Sequence, residues 1–267
     1  MLVACQKSES DSTGGGGADT SNLPAMTVES RATPSMAPRK GSTIRPTKDP
    51  SKATQPARST KPSPIPKNEA PPTPFKICSP LADTPLDDLS QIIADPYRPP
   101  PPGSELRHHG VDFAYFHRFN RAAIEGAGVQ SVLKGQVAAA IVDSFPYGNM
   151  LIIETPGAAL PAQLASQIQI AKGESLYVLY AHMERPPALQ LGDNVEACQS
   201  LGTVGKSGNA GGAHLHVETR LGPSGSRFKS MSYYKAWATD EQRSNYLLWR
   251  TSGTYRHFDP MTVLLYR

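Results

Sequence analysis

Short apolar runs separated by turn residues fill the C-terminal part of this 267-residue chain. The clearest runs cover residues 137–143, 151–154, 176–182 and 215–219, with Gly, Pro and Asn between them. Runs of this length with such boundaries are typical of β-strands, and their close succession favours antiparallel pairing. The pattern therefore predicts a mostly β fold, built as a compact antiparallel β-sheet or sandwich.

Two segments have the spacing of short helices, and they lie in arms on either side of the strand-rich region. In residues 84–94, we expect Thr84 to be the N-cap and Pro85 the first helical residue. The apolar positions of this segment share one face: Leu86, Leu89, Ile92 and Ile93. The second predicted helix covers residues 240–249. It belongs to an aromatic-rich stretch, 224–254, that we expect to pack on the open sheet face; the alternative is a role in substrate choice.

The N-terminal quarter has a different composition from the rest of the chain. Residues 6–75 are rich in Ser, Thr, Pro and Gly, so they cannot bury enough apolar surface to offset their ordering entropy. We expect a disordered linker, which either contacts anionic polymers or serves as a plain spacer. It carries 10 Lys/Arg and 6 Asp/Glu, which accounts for the net charge of +4. Residues 76–267, the predicted folded domain, are thus formally neutral, which argues against a nucleic-acid partner.

The first residues, Leu2-Val3-Ala4-Cys5, resemble a bacterial lipobox, in which the cysteine becomes lipid-modified. The charged and apolar regions that normally precede such a site are missing from the sequence. We therefore expect residues 1–5 to be the remnant of a signal whose true start lies upstream; the alternative is an accidental match. A lipid on Cys5 would be the only predicted membrane contact, because no other apolar run approaches the ~20 residues that span a bilayer.

The other two cysteines are Cys78 and Cys198. In an exported protein, an even pair of remaining cysteines predicts a disulfide, and the alternative is two buried free thiols. In the chain-entropy model, closing so long a loop contributes about 5 kcal/mol to stability.

Three short motifs contain the histidines and the carboxylate that metal chemistry requires. His214 and His216 are two residues apart, so on a strand both imidazoles project from one face. His108 and Asp112 are four apart and share a face on either a strand or a helix. His182 ends an apolar run. Each motif taken singly is compatible with ordinary structural histidines, whereas their succession on strands or strand ends is much more specific.

In that succession the chain resembles the LytM/lysostaphin-type zinc metallopeptidases of peptidase family M23, which mostly cut peptide bonds in bacterial peptidoglycan. The family pattern His-x-Gly-[Val/Ile]-Asp is matched by residues 108–112, and Tyr-x-His-[Leu/Met] by residues 180–183. Further matches fall at 135–137, 147–154, 192–195 and 202–208, with a fainter one at 259–260. The resemblance covers about residues 105–220. It implies a LytM-like β domain of the duplicated-hybrid-motif type, with the metal at the floor of a groove that the two arms wall.

The resemblance also implies the roles of the site residues. His108, Asp112 and His216 would be the ligands of one zinc ion, with the fourth position left for water. Two imidazoles and one carboxylate suit zinc better than calcium or magnesium, which prefer oxygen ligands. Zinc lowers the pKa of a bound water to roughly 7. His182 and His214 would flank the open position, handle the proton and stabilise the developing oxyanion.

Four other residues near these motifs need an interpretation. His109 adjoins His108, but only His108 has the family spacing to Asp112. His117 and His257 match no motif position, and we expect ordinary surface or packing histidines there. Glu218 shares the strand face of His216, which leaves two interpretations: a carboxylate that supports the metal ligand, or a solvated carboxylate near a strand end. The second is our expectation.

These observations together predict an exported, monomeric zinc endopeptidase that acts on peptidoglycan peptides. One alternative is a non-catalytic LytM-like module that binds the wall or activates an amidase. Such family members have usually lost ligands or catalytic histidines, whereas this chain has all five residues. Another alternative is a zinc peptidase whose target is a secreted protein.

Overall fold

A computed structural model describes residues 75–101, 103–114 and 120–267. Within them, an eight-stranded antiparallel sheet has the order β1-β2-β9-β6-β5-β4-β7, with β10 also pairing β9, and a second sheet pairs β3 with β8. The strands are β1 Ile93–Asp95, β2 Val111–Phe113, β3 Gly128–Gln130, β4 Gly135–Ser144, β5 Gly148–Pro156, β6 Glu174–Met183, β7 Asn194–Val195, β8 Ser200–Thr203, β9 Leu215–Pro223 and β10 Arg256–Phe258. The predicted mostly β antiparallel fold is confirmed.

Few and short helices accompany the sheets. The α-helices are α1 Ala162–Gln167, α2 Asp240–Arg250 and α3 Met261–Leu264, and 3-10 turns cover Leu86–Ile92 and Gly157–Ala159. The predicted second helix is confirmed as α2. It begins with a capping box in which the Thr239 side chain accepts from the Gln242 backbone and the Gln242 side chain accepts from the Thr239 backbone. No helix in the described ranges is long and apolar enough to cross a membrane.

The prediction for residues 84–94 was partly wrong. The segment forms a 3-10 helix over Leu86–Ile92, Pro85 is its N-cap, and no side chain caps it. Thr84 is instead buried beside the turn that its backbone N–H closes to Leu81. The helix ends at Ile92 because the next residue starts β1, where Ile93 pairs with Phe113 of β2. Pairing of Ile93 with β2 therefore determines where the helix ends, although the spacing of the apolar residues predicts a helix as far as residue 94.

Apolar side chains pack on both faces of the main sheet. On β9, Leu215 and Val217 point into the larger apolar cluster, whereas His216 and Glu218 point to the opposite face. The aromatic-rich stretch after β9 covers this opposite face, as expected for residues 224–254. The side chains that it contributes are Phe228, Met231, Tyr246 and Trp249, and Tyr255 follows directly after it.

Besides the pairing of β1 with β2, a disulfide and a pair of tyrosine contacts hold the N-terminal arm. Cys78 and Cys198 form a disulfide, which confirms the predicted pairing. Further along, the Glu105 carboxylate accepts hydrogen bonds from the hydroxyls of Tyr234 and Tyr246, so the two arms meet. The lipobox cysteine Cys5, nearly all of the predicted linker and His117 lie outside the described residues. The proposed lipid and linker therefore stay predictions.

Candidate metal centre

Adjacent strands bring the three predicted ligands together at one end of the main sheet. Asp112 on β2 is the direct pairing partner of His216 on β9. His108 lies in the loop that leads into β2, four residues before Asp112. The loop approaches β9 so closely at Gly110 that a Cβ there would lie 2.3 Å from the Val217 carbonyl oxygen. Only glycine fits this position, and its absence would push His108 away from β9.

The ligand atoms of these side chains converge on one point. His108 Nε2 lies 3.0 Å from Asp112 Oδ1 and 3.1 Å from His216 Nδ1, and His216 Nδ1 lies 2.7 Å from Asp112 Oδ1. The residues His108, Asp112 and His216 thus form a group that could hold a metal ion. Each has under a fifth of its side chain exposed, so the group is largely shielded from solvent but not closed off from it.

The hydrogen bonds behind the two imidazoles decide which nitrogen faces the centre. His108 Nδ1 donates to the Pro96 carbonyl at 3.0 Å, which leaves a lone pair on Nε2. His216 Nε2 donates to the Glu218 carboxylate at 3.1 Å, so in the neutral ring the lone pair lies on Nδ1. Two imidazole lone pairs and a carboxylate oxygen therefore face one another. Three electron-pair donors at this spacing require a cation between them, which is the arrangement that a metal ion fits.

When metal is absent, the charges of the centre favour a proton on His216, between the ligand atoms. In the metal-free protein burial disfavours the carboxylate of Asp112, but its hydrogen-bonding and electrostatic interactions with His108 and His216 outweigh burial and hold its pKa well below the usual range. Burial likewise disfavours a charged His216, yet its hydrogen bonds to Asp112 and Glu218 raise its pKa to about 9. Metal binding therefore has to displace a proton from His216, as is usual for histidine ligands.

The two remaining predicted site histidines stand beside this group. His182 follows Ala181, which pairs with His216, and the His182 and His214 rings are 4.6 Å apart. His182 Nδ1 donates to the Ser207 carbonyl at 2.8 Å, and His214 Nδ1 donates to the Gly212 carbonyl at 2.9 Å. Each ring thus keeps its Nε2 lone pair available. Burial, followed by the neighbouring imidazoles His216 and His214, lowers the pKa of His182 to about 3, so this ring is neutral.

His214 lies outside the strand on which the sequence pattern predicted it. It lies one residue before β9, and the turn that precedes the strand fixes its ring through Gly212. Its Nε2 lies 3.5 Å from Asp112 Oδ2, on the oxygen of that carboxylate that does not contact His216. The motif's two histidines thus meet different oxygens of the same carboxylate.

The expectation that Glu218 is a solvated carboxylate was wrong. Glu218 is fully buried, and its Oε1 accepts from His216 Nε2 and from the Tyr147 hydroxyl, at 3.1 and 2.7 Å. The neighbouring Arg220, also fully buried, donates twice to Oε2, at 2.9 and 2.8 Å. Glu218 therefore supports the metal ligand from behind, in the manner of a carboxylate–histidine–metal arrangement.

His109 and His257 contribute to packing. His109 is buried, accepts from Arg220 Nη2 through Nδ1 and stacks at a tilt against His257, with the ring centroids 4.9 Å apart. His257 Nδ1 is hydrogen-bonded to the Tyr97 hydroxyl at 2.7 Å. Both rings lie outside the metal-binding group, in agreement with the choice of His108 as the predicted ligand.

An antiparallel β domain with a two-histidine, one-carboxylate group and two further imidazoles beside it defines a metal-dependent hydrolase, because catalytic sites keep three protein ligands and an open position. Residues 107–228 match the model of peptidase family M23. This part of the chain is thus similar to the M23 peptidases, as the sequence resemblance implied, and it contains the His108, Asp112 and His216 group.

Solved structures of the same class resemble the chain in part. A catalytic-domain variant of the prophage-encoded M23 protein EnpA from Enterococcus faecalis is 24% identical, with 51% of this chain and 85% of that chain covered and a TM-score of 0.36. The catalytic domain of lysostaphin from Staphylococcus simulans is 22% identical over 52% and 87%, with a TM-score of 0.36. A zinc-containing peptidase from Vibrio cholerae is 22% identical over 48% and 33%, with a TM-score of 0.34. The chain thus spans a third of the last protein's length.

Proposed function

We propose that this protein is a zinc-dependent endopeptidase that hydrolyses peptide bonds in bacterial peptidoglycan. The observation that carries the proposal is the convergence of His108 Nε2, Asp112 Oδ1 and His216 Nδ1 in a chain that resembles peptidase family M23. The substrate class is the one that the resemblance to family M23 implies, because members of this family mostly cut peptide bonds in peptidoglycan.

Zinc is the metal that this ligand set favours. Two neutral imidazoles and one carboxylate give a borderline-soft site with mixed nitrogen and oxygen atoms, whereas calcium and magnesium need mostly oxygen. The ligands carry one negative charge in total, so a divalent ion would leave the centre net positive. When bound, zinc would act as a Lewis acid that activates water and polarises the scissile carbonyl.

The chain's own residues would then handle the protons. We assign proton uptake from the attacking water to His214 Nε2, because Nδ1 is committed to Gly212 and Nε2 lies beside the ligand group, 3.5 Å from Asp112 Oδ2. The imidazolium would pass this proton to the leaving amine. His182 offers a second Nε2, since its Nδ1 is bonded to Ser207. Because the ring is neutral, this nitrogen would accept a hydrogen bond from the attacking water and help to orient it.

One feature supports export of the protein, and another supports catalytic activity. The Cys78–Cys198 disulfide is of a kind that persists in oxidising compartments. The retention of both imidazoles next to the ligand group favours catalysis over the alternative of a non-catalytic module that binds the wall or activates an amidase. We therefore place the protein in the cell envelope or outside the cell, with Cys5 as the candidate lipid site.

Digestion of purified peptidoglycan tests the proposal. The full chain should release soluble fragments whose masses show a new amino and a new carboxyl terminus at a peptide bond. Chelation of the metal should stop the release, and added zinc should restore it. The matched control is the same digestion with His214→Ala protein, which should bind the wall without cutting it.

Protein that contains one zinc per chain and yet cuts neither peptidoglycan nor its isolated peptides would contradict the endopeptidase assignment. If the same preparation increased the rate of a purified amidase, the regulatory module would be the correct function. Cleavage of unrelated secreted proteins but not of the wall would instead show a peptidase with a protein substrate.

A further inference from the structure

The Glu218 carboxylate behind the metal centre is held by more donors than the strand itself provides. Its Oε1 accepts from Arg250 Nη1 at 3.0 Å in addition to His216 and Tyr147. Its Oε2 accepts from Trp249 Nε1, also at 3.0 Å, in addition to Arg220. Every lone pair of this fully buried carboxylate is therefore directed at a specific donor.

Two of these donors belong to helix α2, which lies beyond the residues that match the family model. The match ends at residue 228, whereas Trp249 and Arg250 are the last two residues of α2. Arg220 on β9 also bonds to the C-terminal arm, because its Nη1 donates to the carbonyls of Trp249 and Tyr255 at 2.7 and 3.2 Å. The C-terminal arm is thus joined to the carboxylate and to the arginine beside it.

The hydrogen bonds to Glu218 matter because its carboxylate is buried. A buried carboxylate is stable only while charged or strongly polar donors surround it, and the loss of one partner leaves an uncompensated charge. Arg220 and Arg250 supply two positive charges, and Trp249 fixes the orientation of Oε2 without adding a third. The direction in which Oε1 points, and with it the His216 ring, therefore depends on the arm.

We propose that helix α2 positions the metal ligand His216 through Glu218, so that Trp249 and Arg250 set the metal affinity of a centre that they do not touch. This inference rests on the metal centre described under the proposed function, although not on its peptide substrate. Ligand-supporting groups of this kind typically change metal affinity 10–100-fold when altered. Trp249 and Arg250 are positioning residues that act on the ion through two intervening residues, Glu218 and His216.

Packing is the competing role for Trp249 and has to be separated from positioning. The Trp249 ring contacts Phe228 and Tyr255, with ring centroids 5.7 and 5.4 Å apart, in the apolar cluster on this sheet face. Trp249→Phe keeps an aromatic ring but removes the indole N–H. Phe228→Leu disturbs the same cluster and has no hydrogen bond to Glu218, which makes it the matched control.

The test measures zinc affinity of the folded full chain by competition with a chromophoric chelator, together with unfolding of the metal-free protein. Glu218→Gln should weaken zinc binding by about 10–100-fold. Trp249→Phe should weaken it by about fivefold or more, the loss of one hydrogen bond to a charged group. Phe228→Leu should lower the stability while leaving zinc affinity within the error of wild type.

A double-mutant cycle completes the test. In the Glu218→Gln background, Trp249→Phe should have no further effect on zinc affinity, because its path to His216 is already broken. Equal factors in both backgrounds, or an effect of Trp249→Phe no larger than that of Phe228→Leu, would overturn the proposal. If Glu218→Gln does not fold, the comparison of Trp249→Phe with Phe228→Leu decides alone. Zinc affinity is read without any substrate, so a failure to cut peptidoglycan leaves this result intact.

Discussion

Replacing His216 by alanine is expected to remove the metal from the protein and to abolish peptide-bond hydrolysis. His216 supplies one of three ligand atoms, and a centre with only His108 and Asp112 left lacks the third ligand that a stable site needs. The substitution also leaves the Glu218 carboxylate without one of its buried partners. Metal analysis of the purified variant should find far less than one ion per chain.

The control for this variant is another histidine that lies outside the metal group. His257→Asn removes an imidazole that bonds to Tyr97 and packs against His109. It should keep the full metal content of wild type. A His216→Ala protein that is folded, as judged by circular dichroism, and still carries one ion per chain would show that His216 is not a ligand.

Replacing His214 by alanine is expected to have a different result, namely a loss of activity with the metal retained. The ring lies beside the ligand group, and its Nε2 is 3.5 Å from Asp112 Oδ2, a position suited to proton transfer rather than to ligation. Removal of a general acid–base group typically lowers a rate on the order of a hundredfold or more. The rate of fragment release and the metal content have to be measured on the same preparation.

Loss of metal and activity together in the His214→Ala variant would assign His214 to the ligand set. Retention of full activity would remove it from the mechanism and leave His182 as the proton carrier. Neither result is expected, because the His214 ring is fixed by its own turn through Gly212 and does not support His108 or His216.

The strand pattern predicted the sheet well because a strand's side chains alternate with a period of two. Leu215 and Val217 alternate with His216 and Glu218, and the structure places the two pairs on opposite faces of β9. The pairing of Asp112 with His216 does not follow from this rule, because it depends on the register of β2 against β9. The position of His214 could not be derived in this way, because a turn places it ahead of the strand.

The sequence interpretation failed where a distant part of the chain decides the environment. Glu218 looked like an exposed carboxylate because the residues that bury it, Trp249 and Arg250, lie about 30 positions later on a helix. One signal was available: Glu218 and Arg220, of opposite charge, share the face of His216, and an aromatic-rich stretch follows. Residues 84–94 show the same effect, since pairing of Ile93 with β2 ends the helix early.

The central claim is that His108, Asp112 and His216 hold one zinc ion while His182 and His214 stay free to move protons. Anomalous diffraction at the zinc edge, from crystals of the zinc-loaded protein, tests this most directly. We predict a single anomalous peak about 2.0–2.2 Å from His108 Nε2, an Asp112 oxygen and His216 Nδ1. A peak bonded to His182 or His214, or to His216 through Nε2 in place of Nδ1, would contradict it.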